Sequence, residues 1–174
     1  MAVPLFVCWG NCARSVLAQY LYQALAPGLS ACSAGLAPGP GISQRAREML
    51  RYWGVEVRQH QPRAVTHELC AQAQALFVME PEYARRIISV YGVALAAKTY
   101  LFADPFTLPR AFGHDEYVVH DPTFDLRPLT EVVRDYDWFR ERVRQIRAAL
   151  AGADRPMVAA VDYLHLWSDF APGS

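Results

Sequence analysis

Lysine is almost absent from this 174-residue sequence: Lys98 is the only one, and the other sixteen basic residues are arginine. There is no excess of either charge, seventeen basic residues facing seventeen acidic ones. That balance removes the field expected of a nucleic-acid-binding surface or a polybasic membrane anchor. Neither partner is expected, and an anionic ligand must be held by local geometry. No stretch reaches the ~20 consecutive apolar residues that span a bilayer. The opening residues, Met1 to Cys8, lack the basic region and long apolar run of a signal peptide. Cysteine is scarce, with only Cys8, Cys12, Cys32 and Cys70, too few to scaffold a chain of this length with disulfides. There is no CxxC and no HExxH, and His60, His67, His114, His120 and His165 are scattered. Neither a metal nor another cofactor is therefore expected, and the protein reads as cytoplasmic with free thiols.

What is present suits one α/β domain. Hydrophobic residues make up 53% of the chain, ample for a core, and the length fits a single unit. Short apolar runs alternate with stretches of helical period, the pattern of βα units on a mostly parallel sheet. Strands are expected at Val3 to Cys8, Leu29 to Ala34, Gln74 to Met79 and Lys98 to Phe102. Helices are expected from Arg14 to Ala26, through Ile42, Ala46, Met49, Leu50 and Trp53 to Gly54, and from Pro81 to Gly92. One last helix carries Val132, Val133, Tyr136, Phe139, Val143, Ile146 and Leu150. Gly35 to Gly41 reads as a loop. So does Ala103 to Arg127, which holds Pro105, Pro109 and Pro122 and is long enough to suggest a function. The unit is expected to span 1–152. Residues 153–174 still carry Met157, Val158, Val161, Tyr163, Leu164, Leu166 and Trp167, and are expected to pack as an extension on the domain or on a partner subunit.

The chemistry is concentrated in Cys8-Trp9-Gly10-Asn11-Cys12-Ala13-Arg14-Ser15. Cys8 closes an apolar strand, Gly10 and Asn11 tolerate the left-handed backbone of a tight loop, and Arg14-Ser15 opens a helix. Such a loop cradles an anion. Its N–H groups, those of Trp9, Gly10, Cys12 and Ala13 among them, converge on the centre; the helix N-terminus adds positive potential; and the Arg14 guanidinium grips two oxygens at once. The same field favours a thiolate, since a free cysteine of pKa about 8.5 falls to roughly 3.5 to 7.5 at such a terminus. Cys8 then becomes a nucleophile to which Ser15 donates a hydrogen bond. His60 and His120 read as loop or core histidines, and Trp53, Trp138 and Trp167 as core.

This segment resembles the active-site loop of the low-molecular-weight protein tyrosine phosphatases, in which a strand ends in Cys-x-Gly-Asn-x-x-Arg-Ser before the first helix. Ser33-Ala34-Gly35, Met79-Glu80 and Asp121-Pro122 extend the resemblance over residues 3 to 151. It implies a four-stranded parallel sheet flanked by helices, with the phosphate-binding loop between the first strand and first helix. It also implies metal-independent hydrolysis of a phosphate monoester through a phosphocysteine. By the same resemblance Cys8 is the nucleophile, Arg14 binds the phosphate, Asn11 and Ser15 shape the loop, and Asp121 is general acid and then base. A second Asp-Pro pair, Asp104-Pro105, lies on the same loop; the position just before the final helix favours Asp121. The aromatic pair that follows Asp-Pro in the family is here Thr123-Phe124, so Phe124 and Trp9 are expected to wall the slot, with Cys12 lining it. The expected substrate is phosphotyrosine or another phosphorylated side chain on a protein, or a small phosphate ester. Two other readings share the loop: a module that binds an anion without turnover, and a thiol-dependent arsenate reductase. The latter needs further cysteines after the third strand, where this chain has Phe77-Val78-Met79-Glu80.

Overall fold

In the computed structural model, residues 3–57, 59–103, 118–153, 157–160 and 162 are described. The first strand, β1 (Leu5–Cys8), is buried at every position, as a run without polar alternation requires when both faces are covered. It lies between β2 (Cys32–Gly35) and β3 (Leu76–Val78), with β4 (Thr99–Leu101) beyond. The order is β2-β1-β3-β4 and every pairing is parallel. The chain leaves β1 toward one side and enters β3 on the other, so the carboxyl end of β1 sits where the strand order reverses, the place where open α/β sheets bind ligands.

Helices α1 (Arg14–Ala24), α2 (Gln44–Tyr52), α3 (His67–Gln72), α4 (Pro81–Tyr91), α5 (Leu129–Asp135) and α6 (Asp137–Leu150) pack around the sheet. Phe6 and Phe77 meet at 5.6 Å between ring centroids, and Phe102 meets Phe139 at 4.4 Å. All four are fully buried, at roughly 1.5–3 kcal/mol of transfer free energy each. Among the described residues no helix is long and apolar enough to cross a membrane.

Several expectations need correction. The helix read as continuous from Val132 to Leu150 is two, broken at Tyr136 (φ −97°, ψ 7°). The apolar spacing runs straight through the break and hides it. The Tyr136 N–H is shared between the carbonyls of Val132 (3.0 Å) and Val133 (3.2 Å), while its hydroxyl donates to the His120 carbonyl. Gly35, expected in a loop, ends β2. The short α3 had no visible signal, because its six residues bury only Cys70. Asp104 and most of its proline-rich loop lie outside the described residues, as do Val161, Tyr163, Leu164, Leu166 and Trp167 of the extension.

Candidate active site

β1 ends at Cys8, and after five connecting residues α1 begins at Arg14. The connecting loop is turned inside out by its neighbours. The carbonyls of Cys8, Trp9, Gly10 and Cys12 accept hydrogen bonds from the N–H groups of Leu36 (3.2 Å), Ala37 (2.9 Å), Gly39 (2.9 Å) and Ser43 (2.9 Å). His60 Nε2 donates to the Asn11 carbonyl at 3.0 Å. With these carbonyls engaged outside the loop, the N–H groups from Trp9 to Ser15 are left without an acceptor among the described residues and free to meet an anion. His60, read from the sequence as a loop or core histidine, is thus part of the loop's outer support, and burial pushes its pKa down.

Asn11 is the one described non-glycine residue with positive φ, at 51°. That region costs about 1–2 kcal/mol for an ordinary residue, and three side-chain contacts hold it. Nδ2 donates to Ser15 Oγ (3.0 Å) and Ser33 Oγ (2.8 Å), and Oδ1 accepts from the Arg63 N–H (3.1 Å). The Ser15 oxygen, which accepts from Asn11, also lies 3.0 Å from Cys8 Sγ, and its hydrogen is donated to that sulfur when the cysteine is a thiolate. Cys8 is 2% exposed.

Gly35 is required by proximity. A Cβ there would lie 2.6 Å from the Trp9 carbonyl oxygen and 2.7 Å from the Asn11 nitrogen, and neither backbone atom can rotate away. Gly35→Ala is expected to destabilise the protein by roughly 1–3 kcal/mol, the usual range for overpacking, and to weaken vanadate binding in parallel. Urea unfolding and calorimetric titration measure the two effects, and unchanged values for both would mean that the loop yields freely. Gly39 makes room for Cys12 in the same way, since a Cβ there would lie 2.5 Å from Cys12 Sγ. The Cys12 thiol donates to the Gly10 carbonyl (3.0 Å), and burial pushes its pKa up.

Helix α1 differs from α2 and α3 at its start. Ser43 and Thr66 cap those helices by accepting from Ala46 and Leu69, both at 3.2 Å. Ala13 provides no cap for α1, and its first turn holds no acidic residue. The positive end of α1 is therefore open toward the loop centre.

Arg14, the first residue of α1, is buried, and its guanidinium is shared among four groups. Nη1 donates to Glu80 Oε1 and to the Val119 carbonyl (3.0 Å). Nη2 donates to the Tyr83 hydroxyl (3.3 Å) and pairs with Asp121 Oδ2 (3.2 Å). Nε is buried without a partner among the described residues. Burial opposes the charge, yet Asp121 and Glu80 outweigh it and hold the pKa above its ordinary value.

Asp121 reaches the site through contacts distant in sequence. The Val119 N–H donates to the Met79 carbonyl at the end of β3 (3.0 Å), Tyr136 fixes His120, and Arg45 Nη2 from α2 holds the Asp125 carbonyl at 2.7 Å. Asp121 itself is extended (φ −88°, ψ 115°), as a residue before proline prefers. The structure brings Cys8, Trp9, Gly10, Asn11, Cys12, Ala13, Arg14, Ser15 and Asp121 to one end of the sheet. Trp9 is 46% exposed and Phe124 82% exposed; Phe124 lies in the short 3-10 turn that follows Asp121. Sequence reasoning placed Glu80 within the resemblance and Tyr83 on the helix that starts at Pro81, and read neither as a site residue. The available signals were the Met79-Glu80 pair in the resemblance and Pro81, which starts α4.

Comparison with known proteins agrees with this geometry. The family model of low molecular weight phosphotyrosine protein phosphatase matches residues 4–152. A probable low molecular weight protein-tyrosine-phosphatase, EpsP, of Ralstonia nicotianae is 33% identical over 78 residues, 44% of this chain and 54% of that protein. The chain thus spans a little over half the length of such curated relatives. Among solved structures, Vibrio vulnificus Wzb in complex with benzylphosphonate superposes with a TM-score of 0.69 at 24% identity, covering 85% of this chain and 98% of the other. The YwlE arginine phosphatase of Geobacillus stearothermophilus gives 0.68 at 21% identity, covering 95% and 97%; at this identity both show the shared fold. The match over residues 4–152 takes in the whole sheet, the loop and the last helix, and the chain belongs to the low molecular weight phosphotyrosine protein phosphatase family.

Proposed function

We propose that this protein is a cysteine-dependent phosphatase that hydrolyses phosphotyrosine, or another phosphorylated side chain, through a phosphocysteine on Cys8. One observation carries the reading. Arg14 offers Nε without a partner among the described residues, while the adjacent Nη2 forms an ion pair with Asp121 Oδ2 at 3.2 Å. A phosphoryl group that takes this Nε–Nη2 edge in a bidentate fork displaces the Asp121 carboxyl, which is then beside the leaving oxygen. The anion site and the acid are thus coupled through a single guanidinium.

The steps follow from the groups present. The phosphate dianion enters the ring of inward N–H groups and the open end of α1. The Cys8 thiolate, with the Ser15 hydroxyl donating to it, attacks phosphorus in line. The S–P bond forms as the bond to the leaving oxygen breaks, and protonated Asp121 gives that oxygen its proton. Water then attacks the phosphocysteine, Asp121 takes the water's proton, and inorganic phosphate leaves as the Cys8 thiolate is restored. Arg14 and the loop amides stabilise the charge on the equatorial oxygens in both steps.

Trp9 and Phe124 support an aromatic-lined entrance, and Cys12 lines its floor beside Gly10 and Gly39. The relatives include proteins named for phosphotyrosine and one named for phosphoarginine. Kinetics on matched phosphotyrosine, phosphoserine and phosphoarginine peptides and an aryl phosphate therefore test the reading. Vanadate-sensitive turnover is expected. Vanadate binding with no turnover of any of them would instead fit an anion-binding module.

In this reading residues 1–152 act as the phosphatase domain and 153–174 as its extension, whose residues 157–160 pack on the domain. The Leu101 N–H donates to the Val158 carbonyl (3.0 Å), Tyr100 and Ala159 form an antiparallel bridge beside β4, and Ala160 is fully buried. A nucleophile that must remain a free thiolate suits the reducing cytoplasm.

Asp121→Asn tests the acid. Removing a general acid costs typically 10²–10⁴-fold, and the loss should be greatest for phenyl phosphate, whose leaving group needs the proton, and smallest for p-nitrophenyl phosphate. If Asp104→Asn shows that dependence and Asp121→Asn does not, the roles of the two aspartates are exchanged.

A further inference from the structure

Tyr83 is 5% exposed, on the first turn of α4, and its hydroxyl stands between Arg14 and Glu80. It donates to Glu80 Oε1 and accepts from Arg14 Nη2 at 3.3 Å. The Arg14 guanidinium carbon lies 5.8 Å from the centroid of the Tyr83 ring, and that centroid lies 6.3 Å from the Trp9 ring. A guanidinium has five N–H bonds. Two on Nη1 go to Glu80 and Val119, one on Nη2 goes to Tyr83, and the other Nη2 hydrogen and Nε–H remain for Asp121 or a ligand. Tyr83 thereby decides which edge of the guanidinium faces the loop. With its oxygen gone, the Nη2 hydrogen it held would have no acceptor, and the Glu80 carboxylate could draw the fork away from the phosphate.

We infer that Tyr83 is a positioning residue: its hydroxyl, shared with Glu80, holds Arg14 with the Nε–Nη2 edge turned to the phosphoryl group, and its ring links that arginine to the Trp9 wall. The inference rests on the phosphatase reading above. Burial, and then the hydrogen bond to Glu80, push the phenol's pKa up, so the hydroxyl keeps its proton at neutral pH and remains a donor to Glu80.

A fork already set before the reaction matters most when charge spreads over the equatorial oxygens, and less for the ground-state phosphate, which the loop amides also hold. Tyr83→Phe is therefore expected to lower kcat for an aryl phosphate by about tenfold, the scale of a lost hydrogen bond to a charged group. KM should change much less. The inhibition constant for vanadate should rise in step with the fall in kcat, and that for inorganic phosphate less. Tyr91→Phe is the comparison: it removes from the same helix a hydroxyl that donates to the Val65 carbonyl at 2.8 Å, and its kcat and vanadate constant should stay at the unmutated values. A cycle of Tyr83→Phe with Glu80→Gln should be non-additive, because both act on one guanidinium.

Unchanged kcat and vanadate inhibition in Tyr83→Phe would overturn the inference. So would equal losses in Tyr91→Phe, or strict additivity with Glu80→Gln. If the unmutated protein hydrolyses no phosphate ester, the phosphatase reading fails by itself, and the vanadate affinities of the two proteins still decide the role of Tyr83.

Discussion

Cys8→Ser should eliminate turnover while leaving the anion site intact. The substitution replaces one atom at a position only 2% exposed, and the groups proposed to bind phosphate are the loop amides, the open end of α1 and Arg14, none of which it removes. What disappears is the proposed nucleophile. A serine hydroxyl beside Ser15 has no base to take its proton, whereas a thiol gives up its proton far more readily than a hydroxyl and its thiolate is the stronger nucleophile. The loss should be on the order of 10⁴-fold or more, as when a covalent nucleophile is removed elsewhere. Vanadate or phosphate should still bind, which calorimetry or quenching of the half-exposed Trp9 would register. Two results would refute the mechanism: appreciable activity in Cys8→Ser, or loss of activity in the unmutated protein on treatment with EDTA.

Arg14→Lys should cost about 10²-fold or more in kcat/KM, the range for losing one transition-state donor, although the charge is kept. The structural reason is the division of labour around the guanidinium. Glu80, Val119, Tyr83 and Asp121 engage both terminal nitrogens while Nε stays open. An ammonium has three hydrogens on one atom, so it cannot keep those partners and present a planar two-point edge as well. Vanadate affinity should fall with kcat/KM, since both read the same fork. Kinetics close to those of the unmutated protein would mean that the phosphate is held by the loop amides alone, and the proposed displacement of Asp121 would lose its basis.

Strand and helix identities were legible wherever the apolar pattern had room to repeat. β1 is a solid apolar run, and α1, α4 and α6 each bury one face at helical spacing. The break at Tyr136 was not legible, because the spacing of Val132, Val133, Tyr136, Phe139 and Val143 fits one helix as well as two. That break matters to the site, for it allows the Tyr136 hydroxyl to reach His120, beside Asp121.

The sequence by itself determined the anion loop: Cys8, Gly10, Asn11, Arg14 and Ser15 are neighbours along the chain, and short-range backbone sterics together with a helix start leave little freedom in how such a segment folds. The succession of strands and helices along the chain followed from local apolar patterns, but the sheet order β2-β1-β3-β4 came only with the structure. Only the tertiary structure decided which groups answer Arg14. Glu80 and Tyr83 are 66 and 69 residues away from it, and Val119 is 105 away. It likewise decided that Gly35 must lack a side chain because the loop backbone lies against it, and that His60 supports Asn11 from 49 residues downstream. Such contacts join segments whose separation along the chain carries no periodic signal. They are fixed by how the sheet and helices close over a shared core, and a buried charge accepts only the partners which that packing brings within hydrogen-bonding distance.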